Sequence, residues 1–209
     1  MAINLNDALV LIASFSTKAN TVFAVNNNDE EKSFAAVLAT KGKCLSSELT
    51  QYIDTICPTA GLSLEAVGHP VELIAASNLS WQPDMYAQLT GELAKWDDDW
   101  LLLAHEGGDP IIVKTSETTE GSAEQNTVYS AMQGMGFWDF APIADSIGQF
   151  LVCICAIEHA LNFPGLGQPL DDDFNLAPAA ANWLFPFLRQ HAGAHYDEWA
   201  AVFENYQMD

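Results

Sequence analysis

Trp100–Leu161 reads WLLLAHEGGDPIIVKTSETTEGSAEQNTVYSAMQGMGFWDFAPIADSIGQFLVCICAIEHAL. Two apolar runs, Leu101–Ala104 and Ile111–Lys114, flank Glu106-Gly107-Gly108-Asp109-Pro110. Glycine enters positive φ without steric cost, and proline holds the residue before it extended. The pattern therefore predicts a hairpin in which Asp109 starts the return strand. Val128–Met132 reads as a further strand. Trp138–Ile143 leads into a long apolar helix, from about Ile143 to Leu161. Asp145-Ser146 stands in its first turn, where a negative charge meets the positive helix end. Gly107, Gly108, Asp109, Pro110, Trp138 and Asp145 are thus read as structural: turn, strand start, packing and cap.

Upstream, Asn6 can cap a helix over Ala8–Phe15, although the β-branched residues there leave a strand open. Asn26-Asn27-Asn28-Asp29 opens a second helix, Glu30 to about Lys41, closed by Gly42. Ser46 or Ser47 caps a third, in which Leu49, Tyr52, Ile53 and Ile56 form one apolar stripe and Pro58 is the stop. Residues 58–70 read as loop, Val71–Ala75 as a short strand, and Trp81–Lys95 as ambiguous. Downstream, residues 162–176 form a long Gly-, Pro- and Asp-rich loop. Helices follow over about Pro178–His191 and His195–Tyr206. Helices, then strands, then helices argue for an α+β domain with a mostly antiparallel sheet. Its parts are an N-terminal helical segment (1–43), a core (44–162) and a C-terminal acidic loop with a helical extension (163–209).

Of 209 residues, 28 are acidic and 7 basic, for a net charge of −21. Asp7, Asp29, Glu30 and Glu31 are cancelled by Lys18, Lys32, Lys41 and Lys43. The remaining 24 acids face only Lys95, Lys114 and Arg189. Such a surface repels nucleic-acid phosphates and anionic membranes. It attracts a basic protein, or it simply maintains solubility. Cys44, Cys57, Cys153 and Cys155 form no Cys-x-x-Cys pair, and Cys153 and Cys155 lie about 200° apart on a helix. Buried thiols in a reducing compartment are expected. With no basic n-region before Ala8–Phe15 and no apolar run of spanning length, the expected location is the cytoplasm.

Catalytic and metal motifs fail one by one. Gly193 interrupts the helix that His191 and His195 would need to share a metal, so they read as exposed cap and loop histidines. Asp171, Asp173 and Asn175 imitate an EF-hand start, but Leu176 and Asn182 stand where Gly and Glu are needed. Gly134-Met135-Gly136 lacks the third glycine of a dinucleotide loop. No nucleophile elbow or phosphate loop occurs. The expectation is no catalytic residue, no metal and no cofactor. Asp97, Asp98 and Asp99, between Trp96 and Trp100, admit three readings. They are a turn with inward tryptophans, a protein hot spot, or acid/base carboxylates (Asp97, Asp99) of a carbohydrate- or cell-wall-acting enzyme.

Trp100 with its apolar strand, Gly107-Gly108-Asp109-Pro110, Ile111–Val113, Val128-Tyr129, Gly134, Trp138, Ile143-Ala144-Asp145-Ser146 and Phe150-Leu151 resemble the second half of the SUKH superfamily. That family includes bacterial immunity proteins and fungal cell-wall-synthesis regulators. The family's Leu-Pro entry and Asn-Gly-Gly segment are missing here. The resemblance implies a single α+β domain, no catalysis, no cofactor and a protein partner. In bacteria the partner is often a nuclease toxin; the fungal relatives suggest a scaffold without a toxin. A basic toxin would meet the acidic surface. Its expected contacts are Asp97, Asp98, Asp99, Glu106, Asp171, Asp172 and Asp173, with an exposed Trp96 or Trp100 as anchor.

Overall fold

The computed structural model describes residues 2–16, 23, 45–81, 83, 86, 95–117, 124–134 and 137–206. The expected helix at 30–41, Cys44 and most of the Gly134–Gly136 turn lie outside these residues, as does part of the 115–126 loop.

The Gly107-Gly108 hairpin is present. Gly107 and Gly108 have φ of 57° and 109°, so both central turn positions take the left-handed region. A Cβ on Gly107 would lie 2.7 Å from the His69 ring. β3 (Trp100–Glu106) and β4 (Asp109–Lys114) pair across the turn, with Glu106 opposite Asp109. Before them come β1 (Leu62–Leu64) and β2 (Val71–Leu73); after them come β5 (Val128–Gly134) and β6 (Phe137–Ala144). Among the described residues the six strands form one sheet in chain order, each antiparallel to the next. Two details of the sheet depart from the sequence reading. β1 arises in a stretch read as loop. Trp138–Ile143 is not a helix lead-in but most of β6, with Trp138 and Phe140 on one face of the pleat.

The two faces of the sheet carry different side chains. Leu101, Leu103, Ile111, Val113 and Val128 face the helices. A bulge between Leu102 and Ala104 lets the consecutive Leu103 and Ala104 join the same core. The other face holds Leu102, Ile112, Ala131 and Trp138 with Tyr86 and Trp96.

The helical layer is built around α3 (Ile147–Leu161), whose residues from Ile147 to Glu158 are all buried. The thiols of Cys153 and Cys155 lie inside it, and Cys57 is also buried. α1 (Leu5–Phe15) packs on α3 through Leu5, Ala8 and Ile12. Its cap is Asn4, accepting from Asp7 N, rather than Asn6. α2 (Ser47–Gln51), capped by Ser46, runs into a wider turn over Tyr52–Ile56. Its stripe, Leu49, Tyr52, Ile53 and Ile56, is buried as the spacing predicts. α4 (Pro178–His191) packs on α3 with Leu184 and Leu188. The last helix, expected to run to Tyr206, is only α5 (Tyr196–Ala200), after a 3₁₀ turn at Gly193–His195. α1, α4, Trp199 and Phe203 all enter one core with the sheet, so the described terminal segments are parts of a single α+β domain. No described helix is long and apolar enough to cross a membrane.

A buried polar cluster joins these pieces. Glu48, 5% exposed, accepts from Asn126 N at 3.0 Å and from Gly148 N at 3.2 Å. It therefore caps the positive end of α3 from another helix. Ser46 Oγ donates to Asn126 Oδ1, and Asn126 Nδ2 donates to Glu117 O at 2.8 Å. Ser146 caps α3 by accepting from Gln149 N at 3.0 Å and donates to Ile3 O at 2.7 Å. Gln149 Oε1 accepts from Asp145 N, and its amide donates to His191 O at 2.8 Å. His195, read as exposed from sequence, is 8% exposed, with Nε2 3.0 Å from Asp145 Oδ1. Asp145 is thus one residue outside the cap and holds the C-terminal segment.

Two substitutions test this cluster. Glu48→Gln turns an amide NH₂ toward a backbone N–H and is expected to destabilise by about 1–3 kcal/mol in urea denaturation. Burial raises the Glu48 carboxyl above its usual 4.5. The folded chain then binds its proton more tightly than the unfolded chain. This group's contribution to stability therefore falls as pH rises from 4.5 through the raised value, and Glu48→Gln should remove that part of the slope. Gly148→Ala places a Cβ 2.5 Å from Ile3 O, which is backbone. It should cost about 1–3 kcal/mol by overpacking, with amide exchange accelerating most in α1.

Candidate binding surface

The alternation of β3, β4, β5 and β6 gathers aromatic rings on the sheet face away from the helices. Trp96, just before β3, is stacked on Tyr86 at 4.9 Å and meets Trp138 edge-on at 5.8 Å. Its indole donates to Trp100 O at 3.2 Å. At 7% exposure it is a packing residue, which removes it from the partner contacts expected of it. Trp100 is only half-buried and touches Phe140 at 4.6 Å. Phe140 meets Tyr129 at 6.3 Å.

Lys114 lies among these rings. Its Nζ sits 4.6 Å from the Tyr129 centroid and 5.1 Å from that of Phe140. Glu117 receives Lys114 Nζ at 3.5 Å on one oxygen and Tyr129 OH at 3.0 Å on the other. Burial, with Glu117 adding to it, raises the Tyr129 phenol above its usual value, so it stays a neutral donor. Trp100, Tyr129, Phe140, Lys114 and Glu117 thus form one amphipathic patch. Of the five, only Trp100 is an expected partner contact in the sequence. The period-two alternation of β4, β5 and β6 carries the signal for Lys114, Tyr129 and Phe140, whereas Glu117 lies outside the strands and carries none.

The acids expected to act together are separated. Asp97 and Asp98 are exposed beside Trp96. Asp99 is committed to the turn: Oδ1 accepts from Thr115 Oγ1 at 2.6 Å and Ser116 N at 2.8 Å, and Oδ2 from Ser116 Oγ at 2.5 Å. Asp97 in turn accepts from Asp99 N at 2.8 Å. Glu106 and Asp109 lie at the far end of β3 and β4, about 20 Å along the strand from Trp100. Asp171–Asp173 lie on the helical side, where Phe174 O accepts from Glu204 N and Leu176 N donates to Asn205. Asp171 accepts from Asn175 N at 2.8 Å and Asp173 N at 3.0 Å. Those bonds, the Asn175 backbone first, hold its carboxyl below the usual range. Asp172 and Asp173 point to solvent.

The histidines also part company. His191 packs on Phe187 at 4.5 Å, while His195 pairs with Asp145. Among the described residues no group of three or more His, Cys, Asp or Glu side chains is placed to hold a metal ion. No protein-family model, no curated protein and no solved structure matches this chain.

Asp99→Ala should release Thr115 and Ser116 and destabilise by about 1–3 kcal/mol in urea denaturation. An effect below about 0.5 kcal/mol would return Asp99 to the surface contacts.

Proposed function

We propose that this chain is a non-enzymatic protein-binding module of the SUKH type that binds a basic protein in the cytoplasm. A toxin such as a nuclease is the first partner to test, with this chain as its immunity protein. The observation that carries the reading is the half-buried patch of Trp100, Tyr129 and Phe140 on the sheet face opposite α1, α3 and α4. Aromatic anchors surrounded by polar groups are the usual anatomy of a protein hot spot. Glu117 is offset by Lys114, and the exposed Asp97 and Asp98 next to Trp100 in the chain give the patch's edge the sign that a basic partner needs. The excess of acids over bases extends the same field over the chain and would speed encounter. A nuclease must bind phosphate and is therefore commonly basic, which makes the opposite charge useful to its inhibitor.

The carbohydrate-acting alternative would rest on Asp97 and Asp99. Both oxygens of Asp99 already hold Thr115 and Ser116, which leaves it a poor proton carrier. The scaffold reading shares the binding surface and differs only in the partner.

A pull-down from the native cell, followed by a salt series on what binds, tests the proposal. Trp100→Ala and Phe140→Ala should each weaken binding about tenfold or more, mainly through faster dissociation. Reversing Asp97 and Asp98 to lysine should slow association and flatten its salt dependence. Affinity unchanged in all of these variants would overturn the surface. Cells protected from a neighbouring toxin gene by this chain would support immunity; a captured partner without toxicity would support the scaffold.

A further inference from the structure

Glu106 borders a cavity of about 170 Å³ between the sheet and the helical layer. Its walls are apolar, including Ile111 from β4, Ile143 from β6, Ile154 and Ile157 from α3, and Trp199 from α5. The Trp199 N–H donates to Ile143 O at 2.7 Å, so Trp199 offers the cavity a ring surface and no free donor. Two carboxylates, Glu106 and Glu198, also line the space. Glu198 is exposed and Val202 is 43% exposed, so the cavity meets solvent on the α5 side.

An occupant therefore meets aliphatic walls and negative charge together. An anion would be repelled by Glu106 and Glu198. A purely apolar molecule would gain nothing from them. A compact cation would leave the isoleucine walls unused. Lysine and arginine carry an apolar stem and a cationic head on one side chain. Burial raises the Glu106 carboxyl, His69 opposes that and Asp109 adds to it. A delivered cation would favour the ionised form and draw the pair together.

We propose that this cavity receives a lysine or arginine side chain of the basic partner, with Glu106 and Glu198 holding its head group. The proposal rests on the protein-binding reading above and adds a second recognition element on the other side of the sheet.

Methyl NMR on the full chain tests it, using Nα-acetyl-lysine methylamide, its arginine counterpart and its norleucine counterpart as probes. The cationic probes should shift the Ile111, Ile143, Ile154 and Ile157 methyls in a saturable way. Norleucine should bind about tenfold more weakly, which corresponds to about 1.4 kcal/mol. The double variant Glu106→Gln, Glu198→Gln should erase that preference; the single variants give the same reading if the pair fails to fold. Val202→Trp, at the exposed rim, should abolish the shifts while leaving the thermal melt near that of the parent. Norleucine binding as tightly as lysine, or no methyl moving with any probe, would overturn the proposal. Partner capture unaffected by Val202→Trp would overturn the pocket and leave the aromatic surface standing. Probe binding with no basic partner captured would overturn the protein-binding reading and keep the pocket's preference for cations.

Discussion

The buried carboxylate of Glu48 is the constraint on which the arrangement of layers depends. It sits on α2, yet its two oxygens accept from the strand-connecting loop at Asn126 and from the start of α3 at Gly148. A charge taken out of water is costly unless hydrogen bonds replace its hydration. The position of α2 is therefore tied to that of α3, and both to the end of the β4–β5 connection. Ser46, Asn126, Ser146 and Gln149 complete the cluster, and through Ile3 and His191 it reaches both terminal segments. The aliphatic core around α3 supplies the attraction, and the polar cluster selects one packing of it.

What could be read in advance was local. Gly107-Gly108 demands positive φ, and Asp109-Pro110 demands extended backbone, so the hairpin follows from four adjacent residues. The α2 stripe and the Pro58 stop are equally local. The misplaced features depend on distant partners. β1 is three residues long and is a strand only because Val71–Leu73 lies beside it. Phe137–Ala144 pairs along β5, which outweighs its reading as a helix lead-in. His195 is buried by Asp145, fifty positions away. Glu48 finds its partners 78 and 100 residues downstream. The aromatic patch is half visible for the same reason: Trp100 stands out by type, but Lys114, Tyr129 and Phe140 become its neighbours only in the sheet.

The sheet separates two kinds of chemistry. Its inner face is aliphatic and closes against helices by shape. Its outer face is aromatic, with a lysine among the rings and an acid holding that lysine. Rings offer large contact area with few rotors to freeze, and their edges and faces accept polar neighbours. The triplets Asp97–Asp99 and Asp171–Asp173, similar in sequence, have different work. Asp97, Asp99 and Asp171 fold their own loops, whereas Asp98, Asp172 and Asp173 carry charge outward.

The strand order follows the chain order, but the helical layer does not. The β3–β4 and β5–β6 pairs, each joined by two residues, close with little loop entropy, and the longer β2–β3 and β4–β5 connections follow. α1, by contrast, has its principal contacts on α3, and Ser146 reaches Ile3 across 143 positions. During synthesis at about 5–20 residues per second, the apolar side of α1 waits on the order of ten seconds for its seat to emerge. The half-made chain thus carries an unmatched greasy helix while the sheet assembles behind it. That interval, rather than the finished molecule, is where a holding chaperone would matter most.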